Sequence, residues 1–156
     1  PDNSVRVVDL TTGRQRFRMT GHRRAAQSIA CAVVNGTPLA VTASDERALY
    51  VWDLATGKLR YRLTGHTGAV KEVACTVVNG RPVAVSGASD PRGARMWDLT
   101  TGAECGRFDG SKDWVYHLAC TTMRGTPVVV TSTYFKSKET VRIWDAATRK
   151  EVNHWH

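Results

Sequence analysis

Apolar and polar residues alternate in short runs along the chain, and no apolar period near 3.6 is sustained, so the pattern predicts strands rather than amphipathic helices. Between positions 70 and 108 four strands are expected, near Val70 to Val77, Arg81 to Gly87, Ala94 to Asp98 and Ala103 to Phe108. Turn residues punctuate them. Val34-Asn35-Gly36-Thr37 and Val78-Asn79-Gly80-Arg81 set Asn-Gly between apolar runs, the strongest short signal for a two-residue hairpin, and Arg124-Gly125 holds the third such place. Asp9-Leu-Thr-Thr-Gly13, Asp53-Leu-Ala-Thr-Gly57 and Asp98-Leu-Thr-Thr-Gly102 form a second recurring turn, where Gly supplies a positive φ. In its last copy Arg149 replaces the Gly.

These signals belong to a repeat. Trp52-Asp53, Trp97-Asp98 and Trp144-Asp145 stand 45 and 47 residues apart, and Val8-Asp9 keeps only the Asp 44 residues earlier. Gly21-His22 and Gly65-His66 are 44 apart, with Gly110-Ser111 in the third slot. Cys31, Cys75 and Cys120 and also Pro38, Pro82 and Pro127 follow the 44 and 45 steps. A four-strand unit written about three and a half times calls for an antiparallel sheet repeated radially.

Gly-His followed by Trp-Asp at this period resembles the WD-repeat family of β-propellers, with bacterial-type regularity, over essentially the whole chain. The resemblance implies an all-β fold of propeller blades, each a four-stranded antiparallel sheet. Complete blades are expected at 21–64, 65–109 and 110–156, with 5–19 supplying the last two strands of an earlier blade. Since closed rings need about four to eight blades, an incomplete ring is expected, closed by the rest of a longer chain or by identical copies. The start at Pro1, without a Met or a leader-like stretch, reads as a trimmed piece.

In the family a His before the first strand, a Ser or Thr on the second, an acid in the following turn and the Trp form a hydrogen-bonded network. The matching residues are His66, Ser86, Asp90 and Trp97 in one unit and His22, Thr42, Glu46 and Trp52 in another, where Glu46 fills the Asp slot and Asp45 comes one residue early. The last unit keeps Thr131 and Trp144, with Ser111 for the His and Phe135 in the acidic slot, and is expected to be the loosest. A network of this kind fits the physics, because a buried indole N–H and a buried imidazole each need a partner. Ser, His and Asp also suggest a catalytic triad, but a constellation repeated at blade spacing with a Trp as fourth member reads as structural. No G-x-S-x-G, H-E-x-x-H or phosphate-cradling Gly-rich Lys motif occurs. The chain is read as a non-enzyme without cofactor or metal.

The 156 residues, 42% apolar and 23% charged, have a globular composition. The longest apolar run, Ile29 to Val34, has six residues where a membrane span needs about twenty. Four cysteines without a C-x-x-C pair point to a reducing, cytoplasmic setting. Cys31, Cys75 and Cys120 are expected to be small buried hydrophobes held far apart, and Cys105 is the one candidate reactive thiol. His154-Trp155-His156 puts two imidazoles on one face of a strand, read as a frayed edge rather than an ion site.

Twenty-two Lys and Arg against 14 Asp and Glu leave a net charge of +8, unevenly placed. Arg14, Arg16 and Arg18 alternate along one outer strand, Lys58, Arg60 and Arg62 repeat them one unit on, and Arg107 continues the row, opposite Phe17, Met19, Tyr61 and Leu63. This basic rim reads as a solvated edge; nucleic-acid binding is the less favoured alternative, because no aromatic platforms interleave with the charges. Recognition belongs on end loops. The family's usual contact end nominates Arg23, Arg24, Glu46, Arg47, Arg92, Lys112, Trp114, Tyr134 and Phe135, and the turn expected from Tyr134 to Glu139 is longer than its counterpart at Ser89 to Gly93. Trp114 is left with two readings, an exposed anchor or a ring packed under its own loop. The expected function is a rigid, non-catalytic platform for protein partners, scaffold or sensor portion of a larger protein; the alternatives are a self-assembling structural ring or a basic-rim nucleic-acid surface.

Overall fold

The computed structural model describes residues 2–109, 113–135 and 138–155, with the side chains of Phe135 and Lys138 outside that description. Strands β1 (Val5–Val8) and β2 (Gln15–Met19) form a two-stranded sheet. The first full blade is β3 (Ala26–Val34), β4 (Thr37–Ser44), β5 (Ala48–Asp53) and β6 (Leu59–Thr64). The second is β7 (Val70–Val78), β8 (Arg81–Ala88), β9 (Ala94–Asp98) and β10 (Glu104–Phe108), and the third β11 (Trp114–Met123), β12 (Thr126–Phe135), β13 (Lys138–Asp145) and β14 (Glu151–Trp155). Every sheet pairs its strands in sequence order and antiparallel, the arrangement of propeller blades. No helix of the described residues is long and apolar enough to cross a membrane.

Turn chemistry sets this order. Asn35-Gly36, Asn79-Gly80 and Arg124-Gly125 take φ of 49° and 78°, 50° and 77°, and 51° and 82°, the doubly left-handed pair that suits a tight hairpin to strand twist. After each third strand an Asp closes the next turn: Asp53 Oδ1 accepts the Ala55 and Thr56 N–H groups at 2.8 and 3.0 Å, and Gly57 N–H returns to Asp53 O at 2.8 Å.

The core lies between blades. One apolar cluster joins β1–β2 to the first blade through Val5, Met19, Tyr50 and Trp52; a second joins the first and second blades through Leu39, Val51, Leu63 and Trp97; a third joins the second and third through Val85, Met96, Phe108 and Trp144. The ring is not closed by the described residues. Val130, Val141 and Ile143 on the third blade match the fully buried Val41, Leu49 and Val51 of the first but are only half-buried, and Trp155, matching Leu63, is 52% exposed. That face has the residues of a blade contact and no blade on it.

Two expectations are corrected. The three inner cysteines are not widely separated and not equally buried: β3, β7 and β11 lie side by side, Cys75 and Cys120 are half-buried against the blade-contact clusters, Cys31 is exposed, and Cys31 and Cys75 line one shallow pocket. Burial pushes the Cys75 and Cys120 thiols up to about 12, with the neighbouring thiols adding to the shift at Cys75. β3 has β7 beside it on one side only, because the two-stranded sheet β1–β2 puts no first strand on the other, and Cys31 therefore stays open. Second, Tyr134 and Phe135 stand on a strand and not in a turn, since β12–β13 pairing continues through Tyr134↔Glu139 to Phe135↔Lys138.

The second and third blades approach closely at Gly87, where an added Cβ would come within 2.5 Å of Val115 Cγ1. Gly87→Ala is expected to lower stability by about 1–3 kcal/mol through overpacking, with Val115→Ala in the same chain recovering part of it. A double-mutant cycle of thermal melts measures the coupling, and strictly additive losses would refute the close approach.

Candidate interaction surface and the networks beneath it

In the second blade, Trp97 Nε1–H donates to Ser86 Oγ at 2.8 Å, Ser86 Oγ and His66 Nε2 are 2.8 Å apart, and His66 Nδ1 lies 2.8 Å from Asp90 Oδ2. Asp90 can only accept, so Nδ1 donates to it; Ser86 Oγ already accepts the indole N–H and directs its single hydrogen to Nε2. The first blade repeats this with Trp52 Nε1 to Thr42 Oγ1 at 2.9 Å, Thr42 Oγ1 to His22 Nε2 at 2.7 Å and His22 Nδ1 to Glu46 Oε1 at 3.0 Å. In the third, Trp144 Nε1 donates to Thr131 Oγ1 at 2.9 Å, while Ser111 and the Phe135 side chain lie outside the described residues.

Ser86, His66 and Asp90 have the distances of a hydrolytic triad but not its access. Ser86 is fully buried and its oxygen is taken by Trp97, so no carbonyl can approach it.

The carboxylates tie loops as well as imidazoles. Asp90 accepts the Thr67 and Arg92 N–H groups at 3.1 and 3.0 Å; Glu46 accepts the Arg23 and Arg24 N–H groups at 2.8 and 3.3 Å and the Tyr50 hydroxyl at 3.1 Å. Burial alone would raise the pKa of either acid, but these bonds outweigh it, holding Glu46 below the usual range and Asp90 at about 2. The His loops are thereby fastened to the turns between second and third strands, which gathers the exposed Arg23, Arg24, Arg47 and Arg92 at one end. Trp114 and Tyr134 face each other across β11–β12 at the same end, 47% and 53% exposed, with Tyr116 6.2 Å from the Trp114 ring.

Glu46 does not belong among the partner-facing residues. Its side chain is only 6% exposed and both oxygens are engaged within the first blade. Trp114 is an exposed side chain rather than one packed under its loop. Lys112 and the Phe135 side chain lie outside the described residues.

The basic rim is less positive than its sequence. Arg16 pairs with Asp9 at 3.3 Å, Arg18 with Asp2 at 2.9 Å and Arg107 with Glu104, while Arg60 and Arg62 lie 5.7 Å over the Tyr61 and Tyr50 rings. Arg14 and Lys58 are exposed. The Cys105 thiol is pushed up, first by burial and then by Asp98, which removes the basis for reading it as reactive. His154 Nδ1 meets Glu151 at 2.7 Å, and His156 lies outside the described residues.

Sequence reasoning passed over a buried Arg–Glu pair. Arg95 is 1% exposed and donates from Nη1 to Glu104 at 2.6 Å, with Nε and Nη2 finding no partner among the described residues. Arg142 and Glu151 hold the same places in the third blade at 3.4 Å, whereas the first blade has Tyr50 and Leu59 there. The signal was the recurrence of Arg in the third strand with Glu at the matching place in the fourth.

No family model and no curated protein matches the sequence. Among solved structures, that of U3-55K is similar in fold, with a TM-score of 0.78 over 97% of this chain at 20% identity. The chain spans 45% of the length of the U3-55K chain.

Ser86→Ala strands both an indole and an imidazole and is expected to cost about 2–4 kcal/mol in a denaturation midpoint series; Thr131→Ala strands only an indole among the described groups and should cost about 1–3 kcal/mol. The Asp90 pKa, lowered on folding, makes its carboxylate stabilising above about pH 4, with that contribution lost as the pH falls toward 2. The melting-temperature gap between the native chain and Asp90→Asn should therefore narrow from pH 4 to pH 2. A gap that stays constant would contradict the assignment.

Proposed function

We propose that the protein is a WD-repeat propeller module that holds a protein partner on the end bearing Arg23, Arg24, Arg47, Arg92, Trp114 and Tyr134, and that it performs no chemistry of its own. The observation that carries this reading is the division of labour at that end: the groups able to catalyse are buried and hydrogen-bonded to one another, and the groups left outside are guanidinium and aromatic side chains. Arginine and large aromatics concentrate binding energy in interfaces, and loops fastened from beneath lose little freedom when a partner arrives. The fold supports the reading, because propeller blades are a rigid carrier for end loops.

A second partner is implied by the uncovered face of the third blade, where Val130, Val141, Ile143 and Trp155 stand ready for another blade. The remaining blades of a longer chain or a further copy of this one would cover it. The four free cysteines accord with a reducing, cytoplasmic setting. Nucleic acid is the weaker reading, since Asp9, Asp2 and Glu104 neutralise much of the rim.

Photo-crosslinking from benzophenone side chains placed at Arg24, Arg47 or Arg92 is expected to yield polypeptide adducts, and the same probe at Arg16 or Arg60 is expected to yield none. Charge reversal at Arg14, Arg16 and Arg18 together should leave those adducts unchanged. Nucleic-acid adducts from the rim positions would overturn the proposal. For the open face, a solution mass at an integer multiple of the 17.2 kDa chain marks self-closure, and a monomer marks closure by other blades.

A further inference from the structure

The third contact between blades departs from the other two at a single exchanged pair. At the first contact Phe17 of β2 covers Gly57 in the Asp turn of the next blade; at the second, Tyr61 of β6 covers Gly102. A Cβ added to either glycine would come within 2.7 Å of the ring. At the third contact the partners trade kinds. Gly106 of β10 holds the place of Phe17 and Tyr61, as the pairings Val7↔Phe17, Val51↔Tyr61 and Met96↔Gly106 require, and Arg149 holds the place of the turn glycines. The Arg149 stem crosses Gly106, where an added Cβ would lie 2.5 Å from Arg149 Cδ. The matching carbonyl is used differently: Tyr61 OH donates across the contact to Thr100 O at 2.8 Å, and Arg149 Nη1 donates within its own turn to Ala147 O at 3.4 Å.

The exchange carries a cost that the turn itself does not need. Arg149 sits at φ 60°, where Gly13, Gly57 and Gly102 are unstrained and an arginine is not. What accompanies it is space. Tyr61 becomes Gly106 and Leu39 becomes Val83, and an open pocket of about 300 Å³ lies at this contact. Buried Val78, Val83 and Met96 line it, and exposed Arg81 and Arg149 flank it. Asp98 is also present, with Oδ1 held by the Thr100 N–H of its own turn at 2.7 Å. At the second contact the counterparts of the apolar wall, Val34, Leu39 and Val51, belong to the cluster against which the Tyr61 ring packs. The wall is thus of a kind that receives an aromatic ring, and two guanidinium groups against one carboxylate leave the pocket with a net positive charge.

We propose that this pocket binds a carboxylate carried on an aromatic body, with the ring against Val83 and Met96 and the carboxylate between Arg81 and Arg149. Two sources share that chemistry: a free aromatic acid, and the C-terminal aromatic residue of a polypeptide. The site lies at the end of the third blade contact that carries the Asn-Gly hairpins, and it does not depend on the partner-binding end proposed above.

The chain's three methionines allow a direct test. With methyl-labelled Met, phenylacetate is expected to move the Met96 signal saturably and to leave Met19 and Met123 in place. Benzylamine and inorganic phosphate should bind at least about tenfold more weakly, the first carrying the opposite charge and the second lacking the ring. Arg149→Gly should weaken phenylacetate by about tenfold or more, and Gly106→Tyr with Arg149→Gly, which rebuilds the Tyr61–Gly102 contact, should abolish the shift while the protein melts no lower than before. A short peptide ending in Phe that binds where phenylacetate does not assigns the site to chain ends, provided its C-terminal amide fails to bind. An unmoved Met96 with both probes, equal binding of benzylamine or of the amide, or undiminished binding by the rebuilt double variant overturns the proposal.

Discussion

A buried indole N–H in the third strand of each blade must be given an acceptor, and much of the structure is arranged around the hydroxyl that provides it. Trp52, Trp97 and Trp144 are at most 3% exposed, and Thr42, Ser86 and Thr131 stand beside them on the second strands. In the first two blades the hydroxyl's other side is occupied by an imidazole, which brings in a carboxylate, which in turn collects loop N–H groups. Each member would be costly to bury alone, and each is satisfied by the next. The chain of donors runs from the middle of the sheet to the surface, so the end loops take their positions from the core.

The three blade contacts solve one packing problem with different side chains. Below the first His network Tyr50 fills the space and sends its hydroxyl to Glu46; in the second blade Arg95 and Glu104 fill it; in the third, Arg142 and Glu151 do. An ion pair is the costlier filling, since the Arg95 charge leaves water while Glu104 stays partly exposed, and Arg95 Nε and Nη2 have no partner among the described residues. Glu104 is nevertheless held below its usual pKa: burial raises it, but Arg107 and Arg95 together outweigh that. The same freedom operates at the turn glycines, where ring-over-glycine at two contacts becomes arginine-over-glycine at the third.

The blades were legible in the sequence because their strongest signals are local. Asn-Gly and Asp-x-x-x-Gly encode backbone conformations that few other residues adopt, and their recurrence set both strand order and blade length. The acceptors of Trp52 and Trp97 were readable for the same reason, a hydroxyl and a His at fixed offsets. What escaped was tertiary. Glu46 was placed by its spacing both in the His22 network and on the contact surface, and only the side chain, with one oxygen on His22 and the other on the Tyr50 hydroxyl, decides for the network. Cys31 reads as a core residue from its apolar neighbours, yet β3 lies on the inner edge of its sheet, where one side stays open. Arg95 drew no attention as one charge on a short strand and is among the most buried side chains of the described residues.

Rigidity follows from this arrangement and bears on what the end surface is suited to. Arg23 and Arg24 are held through their own backbone N–H groups by Glu46, and Arg92 by Asp90, so the stems of these arginines are placed before any partner arrives. Arg47 is placed by a different means, at φ 63°, in a turn whose counterpart in the second blade has a left-handed Gly93. A residue kept at a conformation that glycine would adopt freely orients its side chain at a continuing energetic cost, and the fold sustains that cost through buried groups that are nearly all satisfied. In the role proposed for this end, only the guanidinium ends would be left to order on binding.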